Sequence, residues 1–517
     1  MLFNSLDFFL FFAVVCLWFF RGPLWLRAPL TLAGMLWPLY AERMSGSAIG
    51  ASLLIVGTFA GVVAIRRRGD EFLARKVLLT SASLLFYAAW KWPYTVLMLI
   101  STLLDYWCSI NIQRTEDPKR RKLFLMISVV GNLGSLFFFK YTNWMLDSAE
   151  TVLQWFGVQA DLGPLPIILP LGISFYTFQI MSYTIDVYRR EIDARKSMLD
   201  VMLYVTFFPQ LVAGPILRGA DFMKELAKRP TFDLTRAKEG ILQMIWGLAK
   251  KLLIADALCG IVDMAYGRPG QFSGAGLLFA TYAFAFQIYG DFSGYSDVAI
   301  GASKVLGYHI PPNFERPYFA TNLTTFWRRW HISLSSWLRD YLYIVLGGSR
   351  GNRARTLFNL MATMVLGGLW HGASWNFVIW GAINGGVLAL HRLWMWQRGI
   401  AKATDDRRPL PWLVLATINF HIVCLCWVFF RADTFATAVA VIKGILTWQP
   451  GLMVPTLFPL VIIPALLAAE TAWERWPAVR QWVWRPAVSR WLIYAGVAGL
   501  ITLVTSVPPQ SFIYFVF

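Results

Sequence analysis

The residues best suited to chemistry in this sequence are two histidines in apolar surroundings, His371 and His331. His371 lies in a stretch, residues 357–390, that contains no Asp, Glu, Lys or Arg. An ionisable side chain held away from water is costly, and in a membrane protein it marks a reaction centre, a relay or a ligand site. A neutral imidazole in such a place is suited to general base catalysis. The structural alternative is a helix-packing histidine bonded to a neighbouring carbonyl group.

The string GGLWHGASWN, residues 367–376, surrounds His371 with small and aromatic side chains. Its glycines let a second backbone or a substrate approach closely, and its tryptophans can form apolar walls. The glycines are Gly367, Gly368 and Gly372, and the tryptophans are Trp370 and Trp375. The fragment HGAS also suggests a serine hydrolase with Ser374 as nucleophile, but the sequence has no nucleophile-elbow pattern.

The segment TFWRRWHISLSSWLRDYLYIV, residues 325–345, places His331 among aromatic and aliphatic residues at helical spacing. The opposite face carries Arg328, Arg329 and Arg339. This pattern predicts one amphipathic or half-buried helix, too polar to cross lipid alone and suited to form the wall of a cavity. An interfacial helix held by its tryptophans is the alternative. The arginines are candidates to bind phosphates, or equally to anchor lipid head groups.

Two carboxylates, Asp291 and Asp297, lie in the otherwise uncharged stretch from residue 272 to 303. Buried carboxylates need partners. They can orient a histidine by accepting its second nitrogen proton, or they can cap and cross-link helices broken at Gly290 and Gly294. Aspartates and histidines are too few and too scattered for a recognised metal-ligand spacing, so we predict no metal.

The composition requires a membrane to surround these elements. Hydrophobic residues make up 57% of the 517 residues and charged residues 15%, compared with about 25% charged residues in soluble domains. At roughly 20 residues per span, the apolar runs predict an all-α polytopic membrane protein with about eleven to thirteen crossings, some short or re-entrant. The net charge of +18 does not indicate nucleic acid, because the basic residues form short clusters between apolar runs.

Basic clusters follow every second apolar run near the N-terminus, which predicts that these loops face the cytoplasm and that the N-terminus faces outward. The clusters are Arg21 and Arg27; Arg66, Arg67, Arg68, Arg75 and Lys76; and Arg114, Lys119, Arg120, Arg121 and Lys122. Arg189 and Arg190 fall on the same side if helices span residues 123–139 and 167–188. The first apolar run, residues 8–20, lacks signal-peptide flanks and is predicted to be a retained helix.

The run from residue 201 to 217 contains Pro209, Gly214 and Pro215 and lies between two basic loops. We predict that it dips into the membrane and returns on the cytoplasmic side. Non-helical backbone at that depth is tolerated where protein buries it or water surrounds it. A cavity open to the cytoplasm is therefore expected.

Five long strings together closely resemble the membrane-bound O-acyltransferase family, in particular its bacterial branch of polysaccharide O-acetyltransferase membrane subunits. They are LPLGISFYTFQIMSYTIDVYR (169–189), FFPQLVAGPILR (207–218), YGDFSGYSDVAIG (289–301), FWRRWHISLSSWLRDYLYIVLGG (326–348) and GGLWHGASWNFVIWG (367–381). The resemblance implies that the family's invariant histidine is His371 and its second histidine His331. Asp291, Asp297, Trp370 and Asn376 are the expected supporting residues, and Arg328, Arg329 and Arg339 the expected coenzyme ligands.

The resemblance also implies a ring of helices around a central funnel, acetyl-coenzyme A as the cytoplasmic donor, and a location in the bacterial inner membrane. The acetyl group would pass outward to a periplasmic acetyltransferase of SGNH or similar type and to a polysaccharide synthesis and export complex. Alginate or a similar exopolysaccharide is the expected acceptor, with cellulose and peptidoglycan as alternatives. A transporter or scaffold without its own catalysis is the rival class, although the paired interrupted helices of transporters are not apparent.

This comparison divides the chain into an N-terminal transmembrane extension (1–75), a catalytic core (76–400) and C-terminal transmembrane helices (401–517). The polar linker around residues 398–411 marks the last boundary. The N-terminal extension is longer than the branch usually has, by about two crossings. It leaves the core intact and bears on which partner the protein meets.

Overall fold

Helix is the dominant regular structure in the computed structural model, which describes residues 6–21, 46–212, 214–405, 409–455, 457–506 and 512–513. No β-strand occurs within these ranges, only an isolated bridge between Phe272 and Leu452. The all-α prediction is confirmed. Arg27 of the first basic cluster lies outside the described residues.

The helices before the central region are α1 (Leu6–Phe19), α2 (Gly46–Arg67), α3 (Glu71–Arg114), α4 (Pro118–Trp155), α5 (Ile173–Tyr188), α6 (Met198–Thr206), α7 (Phe208–Leu211), α8 (Gly219–Leu226), α9 (Leu234–Ala249) and α10 (Ala257–Gly267). Those that follow are α11 (Gly274–Leu306), α12 (Leu323–Trp327), α13 (Ile332–Leu338), α14 (Arg353–His371), α15 (Trp375–Gln397), α16 (Pro409–Arg431), α17 (Phe435–Leu446), α18 (Leu457–Arg475), α19 (Pro477–Val483) and α20 (Pro486–Ser506). π-helical turns follow α9 and α13, at Lys250–Asp256 and Arg339–Tyr343.

Three helices in the described part of the chain are long and apolar enough to cross a membrane, namely α3, α4 and α16. The bent pair of α18 and α19 would make a fourth span. The 44-residue α3 is kinked at Lys91, two residues before Pro93, because proline removes a backbone donor and clashes with the preceding turn. The total of about eleven to thirteen crossings and the ring around a funnel stay predictions.

Several predicted boundaries differ from the observed ones. The helix expected at residues 123–139 extends over the whole of α4, 38 residues long. The helix expected from residue 167 begins only at Ile173, after Pro170 and after Gly172, whose φ of 70° is left-handed. Such a backbone favours glycine and ends regular structure there.

The segment 201–217 has the interrupted, buried backbone that the sequence predicts. It contains the C-terminal part of α6 and the single turn α7, and residues 214–218, which precede α8, form no helix or strand. Pro209, Ile216 and Leu217 are buried. The backbone N–H of Ile216 donates to Ser333 Oγ at 3.0 Å, so protein satisfies at least part of this irregular backbone.

The central pair α9 and α11 packs backbone against backbone. A Cβ on Gly294 would lie 2.6 Å from the carbonyl oxygen of Gly247, and a Cβ on Gly301 would lie 2.5 Å from that of Gly240. The expectation that helices break at Gly290 and Gly294 is wrong, because α11 is continuous there. These glycines provide close helix approach, as small residues do in membrane bundles.

We therefore expect Gly294→Ala to destabilise the protein by about 1–3 kcal/mol, because the new methyl group meets a backbone oxygen that cannot move away alone. Gly260→Ala in α10 is the matched control, since no heavy atom lies within 4 Å of its Cβ position. Thermal unfolding in detergent measures both. Equal melting temperatures for the two variants would contradict the packing argument.

Candidate active site

His371 is the last residue of α14 and is buried. It lies on the wall of a cavity of about 40 Å³. The other lining residues are Lys140, Leu169, Pro170, Gly172, Ile173, Ser174, Phe175, Val212, Trp370 and Phe512. The cavity therefore brings together α4, the irregular segment before α5, α5 itself, the interrupted segment 201–217, α14 and Phe512.

Aromatic rings surround the His371 imidazole. Its centroid lies 5.1 Å from those of Trp370 and Trp380 and 5.3 Å from that of Phe430, all in edge-to-face arrangements. Trp370 forms an apolar wall as predicted. Trp375 does not, because it is exposed and stacks at a tilt on Trp144 instead.

The glycines beside His371 allow a second backbone to approach. A Cβ on Gly368 would lie 2.2 Å from the carbonyl oxygen of Phe377, and a Cβ on Gly372 would lie 2.0 Å from the Phe377 ring. The start of α15 is thereby pressed against the end of α14. Ser374 caps α15 by accepting from the N–H of Asn376, which gives this serine a structural role and removes the basis for a hydrolase nucleophile.

The carbonyl groups at the end of α14 are satisfied by two neighbouring residues of α4. Lys140 Nζ donates to the carbonyl oxygens of Trp370 at 2.7 Å and His371 at 2.8 Å. Tyr141 Oη donates to that of Leu369 at 2.7 Å. The last carbonyls of a helix have no partner within it, so these donors fix the position from which His371 extends.

Lys140 is not among the site residues predicted from the sequence, although a signal was present. It is the only Asp, Glu, Lys or Arg between residues 123 and 146. A single cation in a long apolar helix needs partners at the same depth. Nothing in the sequence indicates that those partners are the carbonyls beneath the histidine.

His331 lies at a break between two helices. The prediction of a single helix over residues 325–345 is therefore wrong. The backbone of His331 is left-handed, with φ 44° and ψ 55°, between α12 and α13. Its buried ring contacts those of Phe292, Phe175 and Trp370, with centroids 4.6, 6.2 and 6.0 Å away. Trp370 thus touches both histidines, and a strained non-glycine residue of this kind is typical of functional sites.

Asp291 and Asp297 have lysine partners on the π-helical turn after α9. Lys251 Nζ lies 2.7 Å from Asp291 Oδ1, and Lys250 Nζ lies 2.6 Å from Asp297 Oδ2. The cross-linking alternative is confirmed, although both aspartates lie within an unbroken α11. Asp291 also accepts from the N–H of Ile513 at 2.6 Å, and thereby holds residues 512–513 beside the cavity.

Asn376 also has a structural contact. Its buried Nδ2 donates to the carbonyl of Ala432 at 2.7 Å, which ties the start of α15 to the chain after α16.

In the described part of the chain, no three His, Cys, Asp or Glu side chains are grouped as metal ligands would be.

The three arginines fall into two environments. Arg328 donates to the carbonyl of Ala403 at 2.7 Å, and Arg329 forms an ion pair with Asp405. Both therefore hold the polar linker after α15. Arg339 is 62% exposed in its side chain and pairs with Asp340 at 2.6 Å, so its guanidinium remains accessible to a ligand.

Asp340 is shared by further arginines. Arg218 pairs with its carboxylate at 2.6 Å, and Arg189 donates to its backbone carbonyl at 3.1 Å. Burial raises the pKa of Asp340, but Arg339 and Arg218 outweigh that effect and hold the pKa below its ordinary value. Arg189 also lies 3.8 Å from Glu191, so its charge is partly balanced there. Arg339 and Arg218 share the single Asp340 carboxylate, and this leaves the positive charge that an anion-binding surface requires.

Comparisons with known proteins agree with the resemblance. Residues 187–430, which include both histidines, match the model of MBOAT, the membrane-bound O-acyltransferase family. The "Probable alginate O-acetylase AlgI" of Azotobacter vinelandii is 42% identical over 70% of this chain and 71% of its own length. The "Peptidoglycan O-acetyltransferase" of Helicobacter pylori is 33% identical over 75% and 76%. The "Teichoic acid D-alanyltransferase" of Bacillus subtilis is 26% identical over 51% and 69%.

We expect Lys140→Met to destabilise the protein by about 1–3 kcal/mol, because two buried carbonyls lose their donor. Lys122→Met is the control, since Lys122 is exposed on the same helix. The midpoint of thermal unfolding in detergent distinguishes them. If Lys140→Met melts at the wild-type temperature, the cap does not hold α14.

Proposed function

This chain belongs to the membrane-bound O-acyltransferase family and is an O-acyltransferase, and from that premise we propose that it takes acetyl from cytoplasmic acetyl-coenzyme A. It passes the group across the inner membrane for O-acetylation of an exopolysaccharide, alginate or a similar polymer. The main support for this proposal is the position of His371, which is buried among aromatic rings on the wall of the cavity. Apolar surroundings favour the neutral imidazole that a general base requires.

In the proposed reaction, His371 accepts the proton of an acceptor hydroxyl, directly or through water. The hydroxyl oxygen bonds to the thioester carbonyl carbon and the carbon–sulfur bond breaks. The proton then leaves with the thiolate as the free coenzyme thiol. His331 positions a reacting group, and Asp291, Asp297, Trp370 and Asn376 maintain the surrounding structure through the contacts described above.

Lys140 is the donor best placed for the negative charge that develops on the thioester oxygen. It lines the cavity, and the two carbonyls at the end of α14 occupy two of its three ammonium hydrogens. A preorganised cation in a site that excludes water stabilises such an oxyanion strongly. Lys140 thus both caps the end of α14 and stabilises the oxyanion in the proposed reaction.

The phosphates of the donor are assigned first to Arg339 and Arg218, which surround Asp340 with excess positive charge. Arg328 and Arg329 are weaker candidates because they already bond Ala403 and Asp405. The positive-inside rule, applied to the basic loops, supports a donor site on the cytoplasmic side. Other basic residues of these loops contact anionic lipid head groups.

The acetyl group leaves toward the periplasm, where a partner acetyltransferase of SGNH or similar type and the polysaccharide synthesis and export complex receive it. The name of the Azotobacter vinelandii relative supports alginate as acceptor. The name of the Helicobacter pylori relative supports peptidoglycan as the second candidate. The alternative is a transporter or scaffold that catalyses no acyl transfer. The His371→Ala variant distinguishes this alternative from the proposed enzyme.

His371→Ala is expected to abolish acetyl transfer while the protein level in the membrane stays unchanged, because the proton acceptor is lost. The measurement follows labelled acetyl from acetyl-coenzyme A to a candidate partner or polymer in membranes. His421→Ala is the matched control, since His421 is an exposed histidine bonded to Tyr282 and Thr417. Equal labelling by the wild type and His371→Ala would favour a transporter or scaffold.

Arg339→Gln is expected to raise the apparent KM for acetyl-coenzyme A about tenfold with little change in kcat, because one charge-assisted phosphate contact is lost. Arg350→Gln provides the control, since Arg350 is an exposed arginine in the following loop. Steady-state kinetics at varied donor concentration measure both. An unchanged KM in Arg339→Gln removes this residue from the donor site.

A further inference from the structure

Asn313 forms hydrogen bonds with the residues at the helix break around His331. Its side chain is buried and its Oδ1 lies 3.3 Å from His331 Nδ1. Its backbone carbonyl accepts from the N–H of Ile332 at 2.9 Å. Its Oδ1 also accepts from the N–H of Ser333 at 3.1 Å. One residue therefore contacts three consecutive residues at the point where the chain turns through its left-handed conformation.

The orientation of the Asn313 amide follows from its neighbours. A backbone N–H can only donate, so the atom of Asn313 that faces the N–H of Ser333 must be the oxygen. Ser333 Oγ lies 2.9 Å from the same oxygen and donates to it. The amide nitrogen then faces Ser296 Oγ at 3.3 Å, where it donates.

This orientation fixes the proton on His331. Because Asn313 Oδ1 can only accept, the Nδ1 that faces it must carry the hydrogen. The other neighbour of Nδ1 is Ser333 Oγ at 3.4 Å, which gives its hydrogen to Asn313 and accepts from the N–H of Ile216. Both neighbours are thus acceptors for Nδ1–H.

The neutral His331 therefore carries its lone pair on Nε2. That atom is buried and has no hydrogen-bond partner among the described residues. The His331 ring is surrounded by those of Phe175, Phe292 and Trp370. The only polar hydrogen on these three side chains is the Nε1–H of Trp370, which donates to the carbonyl of Ser174 at 3.4 Å instead. A buried acceptor without a partner is costly unless a ligand or water supplies the hydrogen.

We propose that Asn313 is a positioning residue that holds His331 in the Nδ1–H tautomer and leaves Nε2 to accept a hydrogen bond from a reacting group. The inference rests on the proposed function and deepens it. The ligand group must carry a polar hydrogen: the acceptor hydroxyl, or an amide N–H of the donor's pantetheine arm. A neutral His331 in this tautomer cannot donate from Nε2 to the oxyanion, so that donation is left to Lys140.

The tautomer is measured directly by nitrogen NMR of histidine-labelled protein in lipid nanodiscs, with the His331 signals identified by their loss in His331→Gln. The expected wild-type result is a protonated Nδ1 and an unprotonated Nε2. A protonated Nε2 in the wild type overturns the inference. This measurement requires neither turnover nor a variant of Asn313.

Kinetics test whether the tautomer matters. Asn313→Leu is expected to lower kcat roughly 10²-fold with KM for acetyl-coenzyme A nearly unchanged. Asn313→Asp keeps the acceptor oxygen and is expected to retain kcat to within about tenfold of the wild type. Asn359→Leu is the control for the loss of a buried amide, since Asn359 bonds the carbonyl of Gly348, and it is expected to keep kcat.

The outcomes separate this inference from the proposed function. Wild-type kcat in Asn313→Leu, or equal loss in Asn313→Leu and Asn313→Asp, overturns the positioning role while the acyltransferase stands. Full turnover in His331→Gln overturns the role of His331 itself. Unchanged acetyl transfer in His371→Ala overturns the proposed mechanism, and the NMR result for the tautomer is unaffected by it.

Discussion

The geometry of the candidate active site depends on how the buried end of one helix is hydrogen-bonded. α14 ends at His371 among aromatic side chains, and the last carbonyl groups of a helix have no partner within it. Lys140 and Tyr141 on α4 donate to three consecutive carbonyls there. Since unsatisfied polar groups at such depth are costly, this cap ties α4 to α14 and holds the histidine on the cavity wall. Lys140 also lines the cavity itself.

The second histidine is also held by hydrogen bonds to backbone groups, here from a buried asparagine. His331 adopts a left-handed backbone, which costs of order 1–3 kcal/mol and persists only where neighbours over-determine it. Asn313 provides that constraint by contacting the turn through its backbone and its side chain. The hydrogen bonds that stabilise the break also determine which nitrogen carries the proton. The same contacts therefore stabilise the local backbone and set the chemical role of the imidazole.

Around these two sites, charge and glycine pairing stabilise the helices. Asp291 and Asp297 pair with two consecutive lysines of a π-helical turn, and a wider turn of this kind is common near functional sites. Glycines in α9 and α11 remove the side chains that would keep the two backbones apart. Asp291 then also accepts from Ile513, so that Phe512 lies on the cavity wall.

The sequence by itself determined the class of protein, the interrupted backbone at residues 201–217, and the apolar surroundings of His371, because hydropathy, proline and an isolated imidazole are local properties. It also placed Trp370 on the wall. Only the tertiary structure decided that His331 stands at a break, since the aromatic spacing around it suits a continuous helix equally well. Likewise, it alone paired the aspartates with lysines, directed Lys140 to the end of α14 and brought Asn313 to His331. Those contacts join residues distant in sequence, and no local pattern specifies which polar group lies opposite another after packing.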